Sequence, residues 1–449
     1  MRAMKIASTV WLLLSLIACG GGGGGDGDKS PTTGPQQTRP DLSDVEPYDA
    51  ESPYRTVLKE CVTAERMEES CSLSVLPLIG REHAEPTVDD IMQRVVVSHP
   101  WMGERFREML QWYLPEDIRQ LLKSVTAIVI DDDVIPSYYS SLTGVIYIDP
   151  DYLWLSLAEK DTISDEEDSR SSFAWELQFY TLARYVMDND YAFDYGSATE
   201  TGPRPIGNLD MPLAAVLYHE LAHANDRFPA WETAHIASDR SVVEEAWSRE
   251  DMWVSTLLQE TSPLASQMMA ELAQVIYFGE SATAKQKALS AETVGLEFAA
   301  DGANDDYAYA TNFEDVAMLF EETMLRYHFG VERDIAYTPV TQRSAPLCDD
   351  FVVSWGMRGR LGDPLVRERA RLVADHILGA GALDDFWNGL EEPTPLVTGA
   401  GWCDNLDPAT ASPVGHAAAS SFRASVRGPH DERVLEDLKP YRLGTEPQL

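Results

Sequence analysis

The chain is short of basic residues, of cysteine and of long apolar runs, and each shortage excludes a class of function. Lys and Arg number 35 against 74 Asp and Glu, a net charge of −39 at pH 7. Such a surface repels polyanions, so nucleic acid is excluded as a partner, and the acidity reads as solvation of a secreted surface. The five cysteines include no Cys-x-x-Cys pair, which argues against a thiolate zinc site or a redox pair. The apolar stretch Val10 to Ala18 is too short to cross a bilayer, which takes about 20 apolar residues. No internal repeat is visible.

An apolar share of 44% is ample for a packed core, and 449 residues can hold one large domain or two to three ordinary ones. Met1, Arg2 and Lys5 ahead of the Val10 to Ala18 stretch read as an export signal over residues 1–18. Leu16-Ile17-Ala18-Cys19 resembles the lipobox of bacterial lipoproteins. That resemblance implies lipidation of Cys19 and attachment to a membrane, with the outer membrane expected. Residues 19–45, with Gly20 to Gly25 followed by Pro31, Pro35 and Pro40, read as a flexible tether, and folding is expected from near Pro47. Four cysteines then remain in an oxidising compartment. Of the three possible connectivities, the local one pairs Cys61 with Cys71 and Cys348 with Cys403.

The apolar spacing predicts helix from Val88 to Lys123, broken at Pro115. Thr126 to Asp131 and Thr143 to Asp149 read as strands joined by a turn-rich connection. Helices are expected over Ser171 to Met187, Asp210 to Ala224, Pro263 to Phe278, Phe313 to Phe329 and Val366 to Leu378. The fold class is α+β, a mostly helical core with a small sheet ahead of it. Residues 46–150 form an N-terminal helical and sheet region, 151–340 the core, and 341–449 a disulfide-stapled C-terminal region.

The decisive stretch is Tyr218-His219-Glu220-Leu221-Ala222-His223. On a helix, positions four apart share one face, so both imidazoles can reach one cation. Neutral imidazole suits zinc, which takes about four ligands in a tetrahedron. Glu220 lies about 100° round the helix, close enough to serve as a base. With nine histidines in 449 residues, chance yields His-Glu-x-x-His on the order of once per hundred such chains.

The motif resembles that of the zincin metallopeptidases. The metzincin branch is excluded, because it requires glycine at Asp226 and histidine at Pro229. Asn312-Phe313-Glu314-Asp315 resembles the second zinc-binding helix of gluzincins, which implies Glu314 as third ligand. Asn312 fits its N-cap, and Asp315 is expected beside a ligand histidine. Tyr307, seven residues before Glu314, has a spacing similar to that in anthrax-lethal-factor-like peptidases, which implies a hydroxyl that stabilises the oxyanion. The step from His223 to Glu314 is longer than in compact gluzincins, so residues 240–290 read as an insertion. Asp305 and Asp306 are rival third ligands, and Glu297, Glu321 and Glu322 stand behind them.

These readings converge on a zinc-dependent peptidase that acts on a peptide or protein substrate through metal-activated water, with Glu220 as general base. The alternative is a non-catalytic surface lipoprotein that uses a zincin-like fold for binding. His328 lies about 21 Å beyond Glu314 along a helix, too far for a shared metal. His235 reads as a loop residue, and His83, His99, His376, His416 and His430 lack ligand spacing. Tyr138, Tyr139, Tyr152 and Trp154 read as core packing rather than a cleft lining. If residues 143–149 form an edge strand beside the site, they can pair with an extended substrate.

Overall fold

Short β-branched and aromatic runs build two five-stranded sheets, and longer apolar runs build the helices between and after them. The computed structural model describes residues 40–164, 173–193, 202–341, 343 and 346–413. The export signal, Cys19, most of the tether, His416 and His430 lie outside these residues.

The first sheet holds β1 (Glu46–Pro47), β2 (Val95–Val97), β3 (Ala127–Ile130), β4 (Tyr138–Ser140) and β5 (Val145–Ile148) in the order β1-β2-β3-β5-β4. β2, β3 and β5 run parallel, while β1 and β4 are antiparallel edges. The parallel strands β2, β3 and β5 are buried on both faces, as central parallel strands usually are. Ile128, Ile130, Ile146 and Ile148 point into the largest apolar cluster, and Ala127, Val129, Val145 and Tyr147 into a second one. Val96 and its neighbours, expected in a helix, form β2 instead. Three consecutive valines favour a strand, because their branched Cβ is restricted against a helical turn.

The second sheet is antiparallel, with β6 (Phe179–Met187), β7 (Asp190–Tyr191), β8 (Glu332–Pro339), β9 (Trp355–Arg358) and β10 (Thr394–Pro395) in the order β10-β9-β8-β6-β7. The segment expected as a helix up to Met187 is thus a strand over Phe179–Met187. Its Phe, Tyr, Thr and Val content fits a pleated surface, and every residue from Phe179 to Val186 faces a partner on β8. Arg184, Asp334 and Arg358 sit abreast on β6, β8 and β9 and form a buried ion triad at 3.0 and 2.7 Å. One sheet was expected and two are present.

The helices include α1 (Val88–Met92), α2 (Pro100–Trp112), α3 (Glu116–Leu121), α4 (Asp210–Arg227), α5 (Val254–Thr261), α6 (Gln267–Phe278), α7 (Ala291–Ala299), α8 (Asn312–Phe329) and α9 (Pro364–Leu378). α4 is buried on all sides from Pro212 to Arg227, and it packs against β4 on one flank and α8 on another. The largest apolar cluster runs from Ile79 to Trp387 and includes Leu217 of α4, Phe320 of α8 and Val373 of α9. Folding starts earlier than expected, since Val45 is fully buried in the second cluster. Cys61–Cys71 and Cys348–Cys403 are both bridged. Among the described residues, no helix is long and apolar enough to cross a membrane.

Candidate metal centre

Two helices supply the centre. α4 carries His219, Glu220 and His223, and one helical turn between the imidazoles puts their ring centroids 5.0 Å apart. α8 begins after Thr311, not at the expected cap Asn312. The Thr311 backbone is extended, outside the helix, and its hydroxyl accepts the Glu314 N–H at 3.1 Å. That cap fixes Glu314 in the first turn, where its carboxylate faces α4.

Oε2 of Glu314 lies 3.0 Å from His219 Nε2 and 3.5 Å from His223 Nε2. One ligand atom from each of the three residues lies within 4.8 Å of the others, and all three residues are buried. His223 Nε2 is buried with no regular hydrogen-bond partner among the described residues. Two imidazole nitrogens and a carboxylate oxygen converging in this way could hold a metal ion.

The electrostatics point the same way. Burial opposes charge on His219, but hydrogen bonds to Glu314 and Glu321 outweigh it and push its pKa up to about 10. Burial also opposes charge on Glu314, yet the two imidazoles pull its pKa down to about 2. The pocket therefore favours a positive charge between these side chains, a demand that a cation meets directly. Burial raises Glu220 to about 7, against the pull of His219, His223 and the Tyr139 backbone N–H.

The other sequence-predicted residues divide. Tyr307 is fully buried, and its ring stacks on His219 at 6.1 Å with an interplanar angle of 20°. Asp315 is not the partner of a ligand histidine. One residue further round α8, it faces α9 and forms a bidentate ion pair with Arg369, one bond measuring 3.0 Å. The histidine's partner is Glu321, whose Oε2 lies 3.0 Å from His219 Nδ1 while its Oε1 accepts the Tyr185 hydroxyl at 2.7 Å. Glu314 and Glu321 are two helical turns apart on one face, a spacing that was legible in the sequence. Tyr185 was not legible, because its segment was read as a helix.

The rival ligands are engaged elsewhere. Asp305 pairs with Arg333 at 2.7 Å, Glu297 accepts the Ser266 hydroxyl at 2.6 Å, and Glu322 accepts an Asn304 amide N–H at 2.8 Å. Asp306 is buried beside Tyr277. His328 contacts Asp117 at 3.0 Å and stacks on Tyr218, a packing role. Tyr139, Tyr152 and Trp154 are core residues, and Tyr138 stacks on Tyr147 at 4.4 Å.

The edge-strand expectation needs correcting. Val145–Ile148 is β5, which is paired on both sides by β3 and β4 and has no free edge. The edge beside α4 is β4, which lay in the connection read as turn-rich. The chain matches no protein-family model, no curated protein and no solved structure.

Proposed function

We propose that this chain is a zinc-dependent peptidase of the gluzincin type, with His219, His223 and Glu314 as ligands and Glu220 as general base. The observation that carries the reading is the meeting of Glu314 with both histidines of the His-Glu-x-x-His turn, with Glu220 on that same turn. Three protein ligands leave room for a fourth from solvent or substrate, the arrangement of catalytic rather than structural zinc. When bound, zinc supplies Lewis acidity and makes water a better nucleophile at neutral pH.

Glu220 takes a proton from the attacking water and returns it to the leaving amine, and its raised pKa suits both transfers. Tyr307 offers a phenolic donor to the developing oxyanion. β4, the edge strand against α4, offers its outer main chain to an extended peptide. The two disulfides fit an exported protein, and the Leu16-Ile17-Ala18-Cys19 sequence supports a lipid anchor at the outer membrane.

A second reading, a non-catalytic lipoprotein with a structural metal, is favoured by one observation. His219 and Glu220 are 0% exposed, Glu314 1% and His223 3%, so substrate has to displace covering residues to reach them. Metal analysis and a mixed-peptide cleavage assay on the wild type, His219→Ala, Glu314→Ala and Glu220→Gln separate the two. The peptidase reading expects zinc in the wild type and Glu220→Gln, loss of zinc in the other two, and cleavage by the wild type alone. Full cleavage by Glu220→Gln, or zinc without cleavage in the wild type, overturns it.

A further inference from the structure

A second group of carboxylates meets far along the sequence from the histidine centre, where the first sheet ends. β3 stops at Ile130 and the chain continues as Asp131-Asp132-Asp133, while Asp44 comes two residues before β1. Glu46 faces Val97, and Val97 faces Ile130, so both segments flank the sheet at the same end. There, one oxygen from each of Asp44, Asp131 and Asp132 lies within 4.8 Å of the others.

Acidic groups crowd together on many surfaces without a ligand, and what sets this group apart is Asp131. Its side chain is fully buried. Oδ1 accepts the Asp133 N–H at 3.0 Å, but Oδ2 is buried without any partner among the described residues. A buried carboxylate oxygen is normally satisfied by a donor or a cation. Burial and the neighbouring Asp132, Asp44 and Asp133 all push the Asp131 pKa upward, to about 7, against the single backbone hydrogen bond. His99 Nδ1 lies 3.7 Å from Asp132 Oδ1, and the Lys59 ammonium donates to the Ser43 carbonyl beside Asp44 at 2.8 Å.

We propose that Asp44, Asp131 and Asp132 bind a calcium ion, which ties the segment leading into β1 to the end of β3. The donors are all carboxylate oxygens, which select a hard cation over zinc. Burial is graded from Asp131 through the half-buried Asp132 to the exposed Asp44, so the outer side is open to the waters that complete six to eight oxygen ligands. Calcium tolerates such irregular geometry better than magnesium, which demands a near-ideal octahedron.

The test is calorimetric titration with calcium chloride and thermal unfolding with and without calcium, on the zinc-loaded full chain and on His219→Ala. Binding is expected with a dissociation constant of about 10⁻⁴ to 10⁻³ M, the range of extracellular calcium modules. The unfolding temperature should rise with calcium in both proteins, which separates this site from the histidine centre. Asp131→Asn should abolish the response, and Asp44→Asn, at an exposed position that folding tolerates, should weaken binding at least about tenfold. Magnesium should bind more weakly. No heat and no shift at millimolar calcium, or an unchanged titration in Asp44→Asn, overturns the proposal.

Discussion

Nδ1 of His219 lies 3.0 Å from Oε2 of Glu321, so the ring that turns Nε2 toward Glu314 is held from behind by a second carboxylate on the same helix. Such a contact fixes the tautomer and strengthens the ring as a ligand. Glu321→Gln keeps the volume and removes the charge. It should weaken zinc binding about tenfold, the lower end for lost supporting contacts, as read by competition with a chromophoric chelator. Unchanged affinity would reduce Glu321 to packing.

Asp315 leads to a contrasting expectation. It and Arg369 are both buried, and each is the other's counter-charge. Asp315→Ala strands a guanidinium in the interior, a loss of about 3–5 kcal/mol. Urea unfolding should show that loss, while the zinc content of the folded fraction stays at the wild-type level. A large loss of zinc with unchanged stability would restore the role first expected for Asp315 beside a ligand histidine.

The two fates of neighbouring acids show how far the sequence could be read. His219, Glu220 and His223 were legible because helical spacing alone sets their relation. Glu314 was reached through the resemblance of its segment to the second zinc-binding helix of gluzincins, with other acids open as rivals, and the cap is Thr311 and not Asn312. Asp315 misled because one residue is about 100° of helix rotation, and only the position of α9 decides what that face meets. β4 and β6 were missed for a related reason. Three residues of β4 carry too little periodicity to announce a strand, and β6 is stabilised by β8, whose pairing residues lie some 150 positions away in sequence. The helix α4 is buried all round although it carries His219, Glu220, His223, Asn225, Asp226 and Arg227, and neither that burial nor its neighbours can be read from its own spacing.

Tyr307 separates packing from catalysis. Its ring stacks on His219, and Tyr277 lies 4.7 Å away on another side. Tyr307→Phe preserves both ring contacts and removes only the hydroxyl. Zinc content should be unchanged, and kcat should fall by roughly 10²–10³, the usual loss for one oxyanion donor. Wild-type turnover in that variant would leave Tyr307 as a packing residue.

Glu322 gives a pH dependence whose sign follows from burial. The carboxyl is fully enclosed, and burial raises its pKa to about 7, against hydrogen bonding from Asn304 and the charge of Arg333. The unfolded chain releases this proton at the ordinary value of 4.5. Between those two values the native state holds a proton that the unfolded state has lost, so stability falls as pH rises through that window and levels off above it. The full contribution is at most roughly 3 kcal/mol, from the conversion of a pKa difference into free energy. Glu322→Gln keeps an acceptor for the Asn304 amide and removes the titration. The stability difference between variant and wild type, taken from urea unfolding at a series of pH values, should therefore grow in favour of the variant from acid to neutral pH. A difference that stays flat across that range would mean that Glu322 titrates as an ordinary carboxylate, with its charge already compensated by Arg333.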